Sequence, residues 1–145
     1  MKAEIKSIDF ASEAYQAELA LRNEILRKPI GLDLYSEDLS QEHKDCHIGA
    51  FIDGELVGCL ILTPLGNGEV KMRQVAAREA YQGLGIGRRL VEFSELVAKE
   101  NKYSAIVLTA RKTAVGFYEK LGYRVVGGEL MEVGIPHFRM VEEIQ

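Results

Sequence analysis

The run Gln82-Gly83-Leu84-Gly85-Ile86-Gly87 sets glycine at alternate positions directly ahead of an amphipathic helix pattern, and it constrains the chain more than any other segment. Glycine has no Cβ, so the backbone there can turn sharply, reach positive φ and lie close to a ligand. A helix that starts on such a turn gathers unpaired amide N–H groups at its positive end, equivalent to roughly half an elementary charge, and phosphate is the natural ligand of that arrangement. Arg88 and Arg89 stand just inside the helix, where each can add a charge-assisted contact. The spacing departs from the two commoner phosphate loops. No Lys-Ser or Lys-Thr follows the last glycine, and G-x-G-x-G is not the G-x-G-x-x-G of dinucleotide folds, which counts against a nicotinamide-dependent enzyme. Taken alone, the same glycines serve equally as a tight strand-to-helix turn.

The neighbouring segments supply the context. Glu69 to Ala77 alternates Val70, Met72, Gln74 and Ala76 against Lys71, Arg73, Val75 and Ala77, a strand pattern that leads into the glycine turn. After the turn, Leu90, Val91, Phe93, Leu96 and Val97 share one helical stripe up to Glu100. Ala105 to Thr109 is a short apolar run suited to burial on both faces, hence parallel to the strand before the helix. Upstream, His47 to Ile52 and Glu55 to Thr63 flank Asp53-Gly54, the strongest hairpin signal in the chain. Ala11 to Arg27 reads as a helix with Ser12 as N-cap, ended by Pro29 and Gly31, and the acidic stretch Ser36 to Glu42 as a further short helix. Thr113 to Leu121 forms another helix, stopped by Gly122. Tyr123 to Val126 and Pro136 to Val141 are the last strands, separated by the glycine-containing stretch Gly127 to Gly134. The expectation is an α/β (α+β) fold: a mixed, mostly antiparallel sheet of six or seven strands, flanked by about four helices, around one central β-α-β unit.

Composition narrows the function classes. The 145 residues, 47% hydrophobic, fit one domain spanning residues 1–145. The net charge of −4 argues against a nucleic-acid binder that neutralises phosphates over a broad surface. No apolar stretch approaches a membrane span and the N-terminus lacks a signal-peptide pattern, so a soluble cytoplasmic protein without a membrane partner is expected. Cys46 and Cys59 have neither CxxC nor Cys/His ligand spacing, which indicates no metal site, and Cys59 reads as a small buried thiol. His43 and His47 read as ordinary polar positions. Arg22 and Glu24 are candidates either for the wall of an acceptor site or for a solvated helix face.

Three segments carry a resemblance: Val75-Ala76-Ala77, the turn Gln82-Gly83-Leu84-Gly85-Ile86-Gly87-Arg88, and Ala114-Val115-Gly116-Phe117-Tyr118-Glu119-Lys120-Leu121-Gly122-Tyr123. In this order and spacing they resemble the GNAT family of N-acetyltransferases, closely from about Phe51 to Val126. The resemblance implies the GNAT fold, acetyl-CoA as co-substrate, and a V-shaped opening between the strand ending at Ala77 and the strand near Val107. It also implies that backbone of Val75, Ala76 and Ala77 pairs with the pantetheine amides, and that Gln82, Gly83, Leu84, Gly85, Ile86, Gly87 and Arg88 wrap the pyrophosphate. Arg111, Ala114, Phe117 and Tyr118 complete the implied coenzyme site.

Acetyl transfer to an amine needs an aligned neutral amine, a donor for the oxyanion and a proton for the departing thiolate. The resemblance places a backbone N–H near Val75 or Ala76 beside the oxyanion and the Tyr118 hydroxyl near the coenzyme sulfur. Where some members carry a strand glutamate as base, this chain has Lys71, which leaves Glu69, Glu132 and His137 as candidates. Arg111 replaces an asparagine common in the family and can meet a phosphate or an acidic acceptor, and Arg73 can recognise a carboxylate. The expected partner is a small-molecule or peptide amine, with a homodimer left open. The competing class is a non-catalytic acyl-CoA sensor on the same fold.

Overall fold

The computed structural model describes residues 2–145. A seven-stranded sheet in the order β1-β2-β3-β4-β5-β7-β6 runs through the molecule. Its strands are β1 (Glu4–Ile8), β2 (Cys46–Ile52), β3 (Glu55–Pro64), β4 (Glu69–Ala77), β5 (Ala105–Arg111), β6 (Arg124–Glu132) and β7 (Ile135–Glu143). Every neighbouring pair is antiparallel except β4 and β5, the two strands joined through the glycine turn and a helix. The α-helices among the described residues are α1 (Glu13–Leu26), α2 (Ile86–Glu100) and α3 (Val115–Lys120), accompanied by single 3-10 turns.

Two apolar layers hold the helices to the sheet. Leu90, Val91 and Ala98 of α2 and Tyr118 of α3 pack with Ile48, Leu60, Met72, Ile106 and Met140. Tyr15, Leu19 and Leu21 of α1 pack with Phe51, Leu56, Cys59 and Ala76. The Cys59 thiol is fully buried, and burial holds it well above its ordinary pKa, as suits a packing residue. Ser12 caps α1, its hydroxyl accepting from the Tyr15 N–H at 3.2 Å. Asp53 and Gly54 both have positive φ, 52° and 80°, as a two-residue hairpin turn of the type favoured by Asp-Gly requires.

Three expectations change. β1 is an added edge strand on β2, and its sequence Glu-Ile-Lys-Ser-Ile is too polar to announce itself, with only Ile8 buried. In place of one helix over Ser36 to Glu42 there are two 3-10 turns, Leu34–Ser36 and Glu42–Lys44, with the chain extended between them at Glu37. β6 continues through the glycines to Glu132, because a register shift between Val126 and Leu130 absorbs residues 127 to 129 opposite Phe138.

The β6–β7 turn is Val133-Gly134, both at positive φ, 46° and 75°. A β-branched residue is a genuine outlier there, where asparagine is favoured. Because Val133 is 67% exposed, little packing offsets the strain. Val133→Asn is expected to stabilise the fold by about 1 kcal/mol, on the scale of the left-handed penalty it relieves, and thermal melting checks this.

Candidate active site

β4 and β5 pair only from Glu69, Val70 and Lys71 against Ala105, Ile106 and Val107. Beyond Lys71, β4 stays paired with β3 while β5 follows β7 to Arg111, so the two parallel strands part. The edge of β4 over Val75, Ala76 and Ala77 is thereby left without a strand on the β5 side.

The glycine turn sits at the end of that edge. Gly83 and Gly85 both have φ of 81°, and a Cβ on either would meet no heavy atom within 4 Å. Among the described residues, the N–H groups of residues 83 to 88 make no backbone hydrogen bond of good geometry, residues 82 to 85 forming only a loose turn, whereas Arg89 N–H bonds the Gly85 carbonyl as the helix begins. The Gln82 side chain donates to the Ala77 carbonyl at 3.0 Å and closes the turn on β4. Arg88 is exposed beside Glu92, whereas Arg89 is committed to the Ala3 carbonyl at 2.6 Å and secures α2 to the N-terminal segment. Gly87 faces the Phe117 ring, where a Cβ would lie 3.4 Å away at ordinary contact distance, so the starts of α2 and α3 meet. Ala114 caps α3 at that junction. A cavity of about 460 Å³ opens beside it, lined by Arg88, Glu92, Phe117 and Lys120 among others.

Tyr118 is buried between Phe117 and Tyr123, edge-on to both at 5.0 and 5.7 Å, and burial pushes its hydroxyl up to about 12. His137 pairs with Arg111 across β5 and β7. Its Nδ1 lies 2.7 Å from the Ile135 carbonyl, which can only accept, so Nδ1 carries the hydrogen and Nε2 faces Glu132 at 3.9 Å. Glu69 stands at the paired end of β4, about 20 Å along the strand from Val75 at 3.3 Å per residue. Arg73 faces Thr63 at 3.3 Å and Asp45 at 4.0 Å.

The face expected for Val75 also changes. Leu60 of β3 opposes both Gln74 and Val75, so a bulge inverts the alternation of β4. Val75 packs with the α2 layer that holds Met72, and Ala76 joins the α1 layer. Gln74 takes φ of 58°, and the Cys59 thiol donates to its carbonyl at 3.7 Å. A non-glycine residue in that region costs on the order of 1–3 kcal/mol. The Gln74 Oε1 is buried without a hydrogen-bond donor among the described residues. Gln74 and Val75 line a cavity of about 420 Å³ together with Leu26, Ile30, Arg111 and Val133. Sequence reading passed over Gln74; its one signal was a polar residue in an otherwise apolar register.

The histidine and arginine readings are corrected as well. His47 and Arg22 are both fully buried, with Glu18 and Glu42. Arg22 donates to Glu18 at 2.9 Å and to both Glu42 oxygens at 2.8 and 2.7 Å, and Tyr15 donates to Glu42 at 2.8 Å. His47 has acceptors on both ring nitrogens, the Glu18 carboxylate at 2.9 Å and the Glu42 carbonyl at 2.8 Å, which requires the doubly protonated ring. Glu18, Glu42 and His47 cluster closely enough to suggest a metal, but the Arg22 guanidinium already takes the carboxylate oxygens. Glu24 lies outside this network and pairs with Arg78 at 2.9 Å.

Comparison with known proteins agrees with this geometry. Residues 10–144 match the model of the acetyltransferase (GNAT) domain. A Bacillus subtilis protein named as an acetyltransferase is 36% identical over 102 residues, covering 70% of this chain and 69% of its own. The N-acetyltransferase YjcF of the same organism is 27% identical, over 85% of this chain and 88% of its own. A Lactobacillus plantarum crystal structure described as an N-acetyltransferase superimposes over the full length of both chains, with a TM-score of 0.87 at 26% identity. With the parted β4 and β5, the open glycine turn and these likenesses together, the chain belongs to the GNAT family, whose members transfer acetyl groups from acetyl-CoA, and is an N-acetyltransferase.

Proposed function

We propose that this chain acetylates the primary amine of a small molecule, the amine attacking the thioester directly while both substrates are bound. The observation that carries the reading is the run of free N–H groups at residues 83 to 88 beside the unpaired edge of β4. Acetyl-CoA supplies the acyl group as an activated thioester. The amides of residues 83 to 88 hold its pyrophosphate at the positive end of α2, and Val75, Ala76 and Ala77 offer main-chain groups to the pantetheine arm. Arg88 and Lys120, on the cavity between α2 and α3, suit the nucleotide end. The cavity beside Val75 receives the acceptor. Its volume of about 420 Å³ lies at the small-molecule end of ligand pockets and favours a small amine over a folded protein.

In this reading a main-chain N–H of Val75 or Ala76 stabilises the oxyanion. Tyr118, held protonated well above neutral pH, donates to the departing thiolate. His137, with Nδ1–H fixed on Ile135, keeps Nε2 as acceptor for the amine proton, directly or through water. Glu69, at the far end of β4, is left out of the machinery. On this reading the chain works as one domain in the cytoplasm, with Cys46 and Cys59 as free thiols, and with neither nucleic acid nor membrane as partner. No helix among the described residues is long and apolar enough to cross a membrane.

Free-thiol release from acetyl-CoA over a panel of amines tests the reaction. Tyr118→Phe is expected to lower kcat about 10²-fold or more with coenzyme A affinity unchanged. Full activity of that variant across pH would remove the acid role.

A further inference from the structure

Strain, an unpartnered polar atom and a cavity coincide at Gln74. Its backbone is in the left-handed region without being glycine, its amide oxygen is buried with no donor, and it walls the cavity beside Val75. Strained residues persist where the surrounding structure over-determines them, and they gather at functional sites. Buried polar groups find partners, and because Gln74 stands in the wall of this cavity, a donor taken into the cavity comes within reach of its side chain.

The rest of the wall describes that molecule. Leu26, Ile30 and Val133 are apolar. Arg27 is spent on Glu37, which it grips at 2.6 and 3.2 Å, so this pair offers the cavity little net charge. Arg111 is exposed, with no carboxylate or hydrogen-bond partner among the described residues, and it stands beside His137 in the β5–β7 register.

We propose that the acceptor is a small primary amine carrying an apolar body and an anionic group, as an apolar amino acid does, with Gln74 Oε1 receiving the amine N–H and Arg111 meeting the anion. This rests on the acetyl-transfer reading above. The chemistry favours an amide at position 74 over a carboxylate. The attacking amine must be neutral, and a negative charge beside it would hold it as ammonium, whereas a neutral carbonyl orients an N–H without raising the amine's pKa. Gln74 is thus a positioning residue for the nucleophile, and Arg111 a specificity residue.

The full chain is assayed with acetyl-CoA and four amines: leucine, leucinamide, isopentylamine and spermidine. Coenzyme A affinity is measured separately by calorimetry. Leucine is expected to lead, with kcat/KM falling about tenfold or more when its carboxylate is removed, and Arg111→Met is expected to erase that difference between leucine and leucinamide. Gln74→Gly relieves the strain and should melt no lower than the parent, yet lose tenfold or more in kcat/KM. Gln74→Glu should shift the rate profile to higher pH, a change that a merely structural glutamine would not produce. Preference for spermidine or isopentylamine, no turnover of any of the four despite coenzyme A binding, or full activity of Gln74→Gly overturns this proposal alone. Failure of coenzyme A to bind overturns the acetyl-transfer reading and this proposal with it.

Discussion

Arg22→Met is expected to destabilise the protein by about 3–5 kcal/mol, the cost of leaving buried charges uncompensated. For a chain of this size that lowers Tm by about 6–20 °C. The guanidinium lies between Glu18 and Glu42, and without it two buried carboxylates share a single imidazolium. Burial pushes the Glu42 carboxyl up, but its hydrogen bonds from Arg22 and Tyr15 outweigh this and hold it below the ordinary range. Burial likewise opposes charge on His47, and its bonds to Glu18 and the Glu42 carbonyl win, raising it above the ordinary 6.5. A histidine whose folded pKa is raised stabilises fully below its unfolded value and loses that contribution as pH rises through the folded one. The Tm of the parent should therefore decline as pH rises above the ordinary 6.5 and through the raised folded value, and His47→Gln should flatten that slope. The network also serves the site. Glu42 lies in the 3-10 turn that ends the segment carrying Ile30 and Glu37, so Arg22 ties one wall of the cavity beside Val75 to α1. Replacing Glu18, Arg22 and Glu42 together by apolar residues should recover much of the stability, as buried ion networks often allow. A Tm change of under 2 °C for Arg22→Met would show that the charges are not coupled as drawn.

Gly85→Val should separate folding from coenzyme binding. Gly85 caps α2 at φ of 81°, and a Cβ there meets no protein atom, so the cost to the fold is the dihedral penalty alone, about 1–2 kcal/mol. The new side chain takes up open space at the turn that is proposed to hold the pyrophosphate. Loss of even one charge-assisted hydrogen bond, about 1.5–3 kcal/mol, weakens coenzyme A binding at least about tenfold. Calorimetry with coenzyme A and a thermal melt of the same sample read the two effects separately. Unchanged affinity in a folded variant would mean that these amides do not hold the diphosphate.

Legibility in the sequence followed locality. The Asp53-Gly54 hairpin, the α2 stripe through Leu90 and Val91 and the parallel placing of β5 were readable, because turn chemistry and periodicity act over a few residues. β1 was missed because an edge strand buries little and so carries little pattern. β6 looked interrupted because Gly127 and Gly128 resemble a loop until a partner strand absorbs them in a register shift. His47 and Arg22 looked solvated because nothing near them in the chain reveals that residues 18, 22, 42 and 47 converge.

By itself, then, the sequence determined the glycine turn, the helix that starts on it and the family motifs around it, since each depends on the conformational freedom and spacing of adjacent residues. Only the tertiary structure decided where β4 and β5 part, that a bulge in β4 places Gln74 and Val75 in the wall of one cavity, and that a buried ion network forms between α1 and the turn at Glu42. Those outcomes depend on register between strands and on charges brought together from distant positions, and no local pattern encodes either.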